Sequence, residues 1–308
     1  MFTILGAGGT ISNELAAELA AHRIPFTLVG RHPVPIHGAT TRVADLTDAA
    51  QTDRAVEGSS VVVLCPGLAY DVRVWAEQWP AIMTHTIDAC KKHRCRLIFF
   101  DNVYALGKVS GAMTEATPPN PVSRKGEIRA RIAAQLMEEV RAGNLEAMIA
   151  RAADFYGPHC KTGFPNVLLF DKMAAGKRAQ WLVNDAVPHS YTFTPDCGKA
   201  LLLLSQSAQA WNQIWHLPTA APPLNGRELV TLAARIYQVR PRYTVIGRSM
   251  IGLAGIFNRL MYELKEMLYQ NDLPYIFDSS KFEKAFDFRP TPYEEGFEMV
   301  AASGKTGS

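Results

Sequence analysis

The residues able to do chemistry are concentrated at the start of the chain. Phe2-Thr-Ile-Leu5 is apolar, Gly6-Ala-Gly8-Gly9-Thr10-Ile11-Ser12 is a glycine cluster, and Asn13-Glu-Leu-Ala-Ala-Glu-Leu-Ala-Ala21 has helical composition. A strand that enters such a turn and leaves as a helix gathers backbone N–H groups and the positive end of a helix at one point. That geometry holds a pyrophosphate. Gly6 permits the sharp turn, and Gly9 has no Cβ where a diphosphate would meet the backbone. Ser12, at the third small position, is expected to pack close and to cap the helix through its hydroxyl. Next comes Arg31, about 20 positions on, where an acidic residue would bind a ribose 2′-hydroxyl and an arginine accommodates a 2′-phosphate. Arg31 therefore favours NADP, with NAD as the alternative.

Alternating strands and helices must position these groups. Pro25–Val29 reads as a second strand, Thr41-Arg-Val-Ala-Asp45-Leu46 as a third, and Asp48–Val56 as a short helix capped by Thr47 or Asp48. Asp45 could accept from an adenine amino group. Ser59–Leu64 is a β-branched core strand that breaks at Cys65-Pro66-Gly67, on the sheet edge where ligands sit in open α/β folds. A helix from about Val74 to His93 leads to a fifth strand, Arg96–Phe100. Asp101-Asn102-Val103-Tyr104 follows it and so lies beside the nicotinamide end of a dinucleotide. A helix from Lys125 to Ala142 and a sixth strand, Leu145–Ala150, complete the alternation, which predicts a doubly wound parallel sheet with right-handed crossovers. Phe155, past the sixth strand, counts among the cofactor positions, with Gly6, Gly9, Thr10, Ile11, Ser12, Arg31, Asp45, Leu46, Pro66 and Gly67.

The second half changes texture. Helices are expected over Phe164–Ala175, Asp196–Gln209, Arg227–Tyr237, Ser249–Gln270 and Ser280–Phe286, with a closing helix near Tyr293. Tyr191-Thr-Phe-Thr and Ile214-Trp-His-Leu are strand-like pieces that extend the sheet or pair with each other. The expected organisation is a nucleotide-binding domain over 1–158 and a mainly helical substrate-binding region over 159–308, interleaved with the sheet. The polar end, Gly304–Ser308, is expected to fray.

Composition narrows the function. The chain has 308 residues, 48% of them hydrophobic, and 32 Lys and Arg against 29 Asp and Glu. The cations are evenly spread, so neither a nucleic-acid nor a membrane partner is expected. Met1 opens the first strand directly, and no apolar run suits a signal peptide or a bilayer span, which reads as cytoplasmic. The five cysteines lack framework spacing, as in a reducing compartment. Cys90, His93 and Cys95 have no second ligand pair after them, so no metal is expected.

Taken together, Gly6-x-x-Gly9-x-x-Ser12, Arg31, Asp45-Leu46, Pro66-Gly67, Asp101-Asn102-Val103-Tyr104 and Arg151 through Tyr156-Gly157-Pro158 resemble the extended short-chain dehydrogenase/reductase superfamily. More narrowly, the pattern is similar to the NAD-dependent epimerase/dehydratase group, which Asp196 and Phe282–Thr291 also match. The resemblance implies a Ser or Thr after the fifth strand and a Tyr-x-x-x-Lys on the next helix. Those places hold Asn102, Lys125 and Arg129. By the resemblance, Asn102 polarises a substrate carbonyl, Arg129 bonds the nicotinamide ribose, and Lys125 or Tyr104 supplies the proton. The arginine that the group carries seven residues before Asp196 is His189 here. This disfavours a nucleotide sugar, and Phe164, Trp181, His189, Tyr191 and Met250 suggest an apolar or aromatic carbonyl compound. The expected activity is an NADP-dependent reductase of a small carbonyl or activated alkene. A nucleotide-sugar epimerase or dehydratase with bound NAD, and a non-catalytic NADP-binding regulator, are the alternatives. The resemblance also implies a homodimer through the helices at 74–93 and 125–142.

Overall fold

The computed structural model describes residues 1–305. The backbone forms two compact units, both discontinuous in sequence. Unit 1 comprises Met1–Ala105, Arg124–Arg151 and Cys197–Trp215; unit 2 comprises Leu106–Ser123, Ala152–Asp196 and the residues from His216 onward. The sequence pattern places the division after Pro158. Tertiary contact instead moves 106–123 into unit 2 and returns 197–215 to unit 1.

Unit 1 is the doubly wound sheet. Its elements are β1 (Phe2–Leu5), α1 (Thr10–Ala21), β2 (Phe26–Gly30), β3 (Ala39–Val43), α2 (Ala49–Val56), β4 (Val61–Leu64), α3 (Val72–His93), β5 (Arg96–Asp101) and α4 (Arg124–Arg141). The strand Ala147–Arg151 follows β5 in space and the strand Ile214–His216 closes the edge, giving seven strands ordered Ile214–His216, Ala147–Arg151, β5, β4, β1, β2, β3. From β3 to Ala147–Arg151 every pairing is parallel. Val61, Val62, Val63 and Leu64 of β4 are all buried, as a strand covered on both faces requires. The strand order reverses between β1 and β4, which makes the carboxyl ends of those two strands the switch point.

Helix ends follow local chemistry. Asp48 caps α2 by accepting from Gln51 N–H, and Asp71 caps α3 by accepting from Arg73 N–H. α3 ends at Arg94, whose left-handed backbone closes the last turn, with Cys95 N–H donating to Cys90 O at 2.9 Å.

Unit 2 holds three short parallel pairs: Asp154–Tyr156 with Tyr191–Phe193, Ala179–Leu182 with Tyr243–Ile246, and Ala112–Met113 with Ile276–Phe277. The two strand-like pieces therefore separate, one extending the main sheet and the other pairing within unit 2. Tyr156 is fully buried at the centre of an aromatic core with Phe170, Phe193, Tyr293 and Phe297. The helix expected over Ser249–Gln270 is broken into Arg248–Phe257, Arg259–Lys265 and a 3-10 turn at Leu268–Asn271. Asn258, in extended conformation, causes the first break by capping the second helix, accepting from Met261 N–H at 3.2 Å. The segment expected as helix over Phe164–Ala175 opens as a π-helix, Asn166–Phe170, before a short α-helix at Asp171–Ala174. Of the polar end, Gly304 and Lys305 continue the closing helix, and Thr306–Ser308 lie outside the described residues.

Candidate active site

The glycine turn sits at the switch point. Gly6 has φ +115°, and a Cβ there would lie 2.5 Å from Pro66 Cα, so the ends of β1 and β4 approach as closely as backbone allows. Gly8 has φ +87° and faces open space. Gly9 is the N-cap of α1 and supplies no capping side chain, which leaves the N–H groups of the first turn to a ligand. The capping role expected of Ser12 is corrected by the structure. Ser12 lies inside the first turn, is fully buried, and its Oγ meets no hydrogen-bond partner among the described residues. Its small size, rather than its hydroxyl, suits the close packing. Thr10 and Ile11 open the same helix, Ile11 facing the core. Beside the turn, burial pushes the Cys65 thiol up to about 12, so it stays neutral near the anion position. The residues present therefore fit a bound diphosphate.

Arg31 follows β2 and is exposed, and Asp45 follows β3. Asp45 Oδ1 accepts from Thr47 Oγ1 at 2.7 Å and Thr47 N–H at 2.9 Å. These bonds, with the Arg31 charge nearby, hold its carboxyl below the usual range. The structure thus brings Arg31 and Asp45 into electrostatic reach, with Leu46 buried behind them and Pro66 and Gly67 leading away from β4.

At the end of β5 the structure adds an arrangement that the sequence pattern did not disclose. Asp101 is buried and bound by two guanidiniums, Arg129 through Oδ1 at 2.5 and 2.8 Å and Arg151 through Oδ2 at 3.1 and 3.2 Å. Arg129 also donates to Phe100 O at 3.2 Å and lies against the faces of Trp79 and Phe99, 4.4 and 4.6 Å from their centroids. Its Nε and Nη2 are thereby committed to protein, and no hydrogen bond is made by Nη1 among the described residues. The signal in the sequence was the pair of strand-end residues, Asp101 and Arg151, which the parallel register sets side by side.

Asn102 and Tyr104 come together on the turn after β5, Asn102 Oδ1 accepting from Tyr104 N–H at 3.0 Å. Tyr104 stacks on Trp75 at 6.1 Å, and Trp75 meets Tyr70 edge-on at 6.0 Å. Lys125 is fully buried, with Nζ 4.6 Å from the Tyr70 centroid. Asn102, Tyr104 and Lys125 therefore border one aromatic cluster in unit 1.

In unit 2, Phe155 is half-buried in the strand paired with Tyr191–Phe193. His189 is buried, its Nε2 3.0 Å from Asp154 Oδ2, and its ring stacks on Tyr275 at 4.1 Å and Tyr191 at 4.6 Å. Of the other residues expected around a substrate, Trp181 meets Tyr191 edge-on at 6.5 Å, whereas Phe164 and Met250 stand apart from that group. Trp181 belongs to the Tyr156 core, Phe164 packs with Leu182 and Leu268, and Met250 is exposed. A small open recess, about 20 Å³, lies between Gly107–Met113 and Tyr269–Tyr275. Gln270 lines it, with Nε2 buried and without a partner among the described residues. Nothing in the sequence singled out Gln270, because it falls where a continuous helix was expected. Among the described residues no group of three or more His, Cys, Asp or Glu could hold a metal ion. His93 binds Asp53 at 3.0 Å, and Cys95 Sγ donates to Ser59 O at 3.2 Å.

A parallel sheet with a glycine turn at its switch point, followed by a strand-end Arg, defines a dinucleotide-binding enzyme fold of the short-chain dehydrogenase/reductase type. The chain belongs to the NAD dependent epimerase/dehydratase family, whose model matches residues 2–214. Among solved structures it is similar to UDP-glucose 4-epimerase of Thermus thermophilus in complex with NAD, at 17% identity and TM-score 0.79 with 100% of each chain covered. It is also similar to UDP-glucose 4-epimerase of Thermotoga maritima with UDP-glucose, at 17% identity and TM-score 0.82, covering 99% of each chain. A third similar structure is a dTDP-glucose 4,6-dehydratase of Streptomyces venezuelae with NAD bound, at 16% identity and TM-score 0.80, covering 100% of this chain and 97% of that one. No curated protein sequence matched the chain.

Proposed function

We propose that the chain binds NADP and acts as an oxidoreductase on a small carbonyl compound or activated alkene. The observation that carries this reading is Arg31, exposed just past β2 and near enough for its charge to act on Asp45. A guanidinium there accommodates a 2′-phosphate where an acidic residue would bind a 2′-hydroxyl. When bound, the nicotinamide supplies or accepts a hydride. The protein's own part is to orient and to move a proton. Because Asn102 Oδ1 already accepts from Tyr104, its Nδ2 is the atom that can donate to a substrate carbonyl. Tyr104 Oη and Lys125 Nζ, on the same aromatic cluster, are the two proton donors. Arg129 keeps Nη1 for a ribose hydroxyl while Asp101 fixes its plane. The burial of His189 against Asp154 supports a substrate without a diphosphate, since the side chain at that position is engaged within the protein. In unit 1, α3 and α4 pack on one another, joined by Gln135 Nε2 donating to Thr84 Oγ1 at 2.9 Å. A homodimer through their outer faces is the assembly we expect.

A second reading, a nucleotide-sugar epimerase or dehydratase that retains NAD, is favoured by the family and by the fold likeness. Calorimetric titration of NADPH and NADH, beside the Arg31→Ala variant, separates the two. The first reading expects Arg31→Ala to weaken NADPH about ten- to a hundredfold, roughly 1.5–3 kcal/mol, with NADH unchanged. A protein that carries NAD through purification and shows no NADPH preference would overturn it in favour of the second.

A further inference from the structure

The buried ions at the end of β5 do not balance. Asp101 lies between two arginines, its Oδ1 accepting from Nε and Nη2 of Arg129 and its Oδ2 from Nε and Nη2 of Arg151. All three side chains are at most 4% exposed. One carboxylate thus faces two guanidiniums that stay protonated at any working pH, and no other carboxylate pairs with either of them among the described residues. The cluster is one negative charge short. A buried charge without a counter-ion is strongly destabilising, so an excess of this kind points to an ion that arrives from outside.

The uncommitted donors locate the missing charge. Each oxygen of Asp101 already accepts twice, which fills its capacity. Arg129 gives its second Nη2 proton to Phe100 O at 3.2 Å and lies against Trp79 and Phe99. Arg151 makes no hydrogen bond beyond its two to Asp101 among the described residues. It binds Asp101 through the edge formed by Nε and Nη2, which leaves the terminal edge, Nη1 with the other Nη2 proton, uncommitted. Two parallel N–H groups on a guanidinium edge match the two oxygens of a carboxylate. Charge selects among anions as well, since a carboxylate supplies the single charge that is missing, whereas a phosphate group carrying about −1.5 to −2 would exceed it. Arg151 ends its strand in register with Asp101 of β5, at the carboxyl edge of the sheet where ligands bind in open α/β folds.

We propose that the terminal edge of Arg151 binds a carboxylate, and that the substrate is accordingly a small oxo acid or its unsaturated counterpart. Assigning the carboxylate to the substrate rests on the oxidoreductase reading above, whereas the anion site stands on the charge and donor count of the cluster. Arg129 keeps Nη1 for the ribose, so the two arginines divide the work between cofactor and substrate.

The test is calorimetric titration of pyruvate, and of acetone as its uncharged counterpart, into the protein in chloride-free buffer without added cofactor. Pyruvate should bind and acetone should not. Arg151→Met should weaken pyruvate on the order of a hundredfold. Circular dichroism should show that variant folded, because Asp101 and Arg129 remain as a balanced pair. Should it not fold, Arg151→Lys keeps the charge without the two-pronged edge and should weaken pyruvate at least about tenfold. Absence of pyruvate binding, acetone binding as tightly as pyruvate, or pyruvate binding unchanged in the folded variant overturns the proposal. NADPH titrated into the same native sample separates the two readings. Pyruvate binding without NADPH binding supports the anion site and counts against the oxidoreductase function, whereas NADPH binding without pyruvate binding overturns the site alone.

Discussion

Two residues govern the dinucleotide end of unit 1 for different physical reasons. Gly6 is required by backbone geometry, since a side chain at φ +115° is strained and its Cβ would collide with Pro66. Gly6→Ala should cost roughly 1–3 kcal/mol of stability and abolish the heat of dinucleotide binding in calorimetry. Asp101 is required by charge. It neutralises part of a buried pair of guanidiniums, and Asp101→Asn should destabilise the protein by about 3–5 kcal/mol in chemical denaturation, because Arg129 and Arg151 remain buried and uncompensated. Gly6 was legible in the sequence because a glycine between an apolar run and a helix marks a turn that residues with a Cβ rarely make. The triad was not, since residues 101, 129 and 151 meet only once β5, α4 and the next strand are placed.

At the scale of elements, legibility followed local signals. Strands β1, β2, β4 and β5 and helices α1 to α4 were readable within a few residues, because apolar runs and caps such as Asp48 act over three or four positions. The 249–270 segment was not, because its apolar spacing is continuous while its backbone is interrupted by the Asn258 cap. The best-formed cap lies at Asn225, which accepts from Glu228 N–H while Glu228 Oε2 accepts from Asn225 N–H at 2.8 Å. Asn225→Ala should lower stability by about 1 kcal/mol, a fall of roughly 2–4 °C in Tm by differential scanning calorimetry.

For the whole molecule, stability should be bounded at both ends of the pH scale. Asp185 is held below the usual carboxylate range chiefly by the Tyr243 hydroxyl at 2.6 Å and also by Arg227, and Asp45, Asp53 and Asp278 are lowered by their own hydrogen bonds. Lowered folded values mean stability that is present above about pH 4 and lost as pH falls through them. Burial raises Tyr156, Tyr191 and Tyr275, and Tyr293 to about 12. Their contribution is complete below about pH 10 and is lost as pH rises through those raised values. Denaturant midpoints measured across pH should therefore form a plateau that falls on both sides. Asp185→Asn should flatten the acid limb, and a midpoint unchanged between about pH 5 and about pH 2.5 would contradict a carboxylate contribution to stability.

The sequence by itself determined the doubly wound sheet and the glycine turn, because strand alternation and glycine conformation are properties of a few neighbouring residues. The resemblance gave Asn102, Lys125 and Arg129 only as the residues expected at the family's usual catalytic places. Only the tertiary structure decided the division into interleaved units, the Asp101 triad and the pairing of His189 with Asp154. Each of those depends on which distant segments meet, and an apolar or charged side chain carries no local mark of whether its partner is the core, another side chain or the solvent.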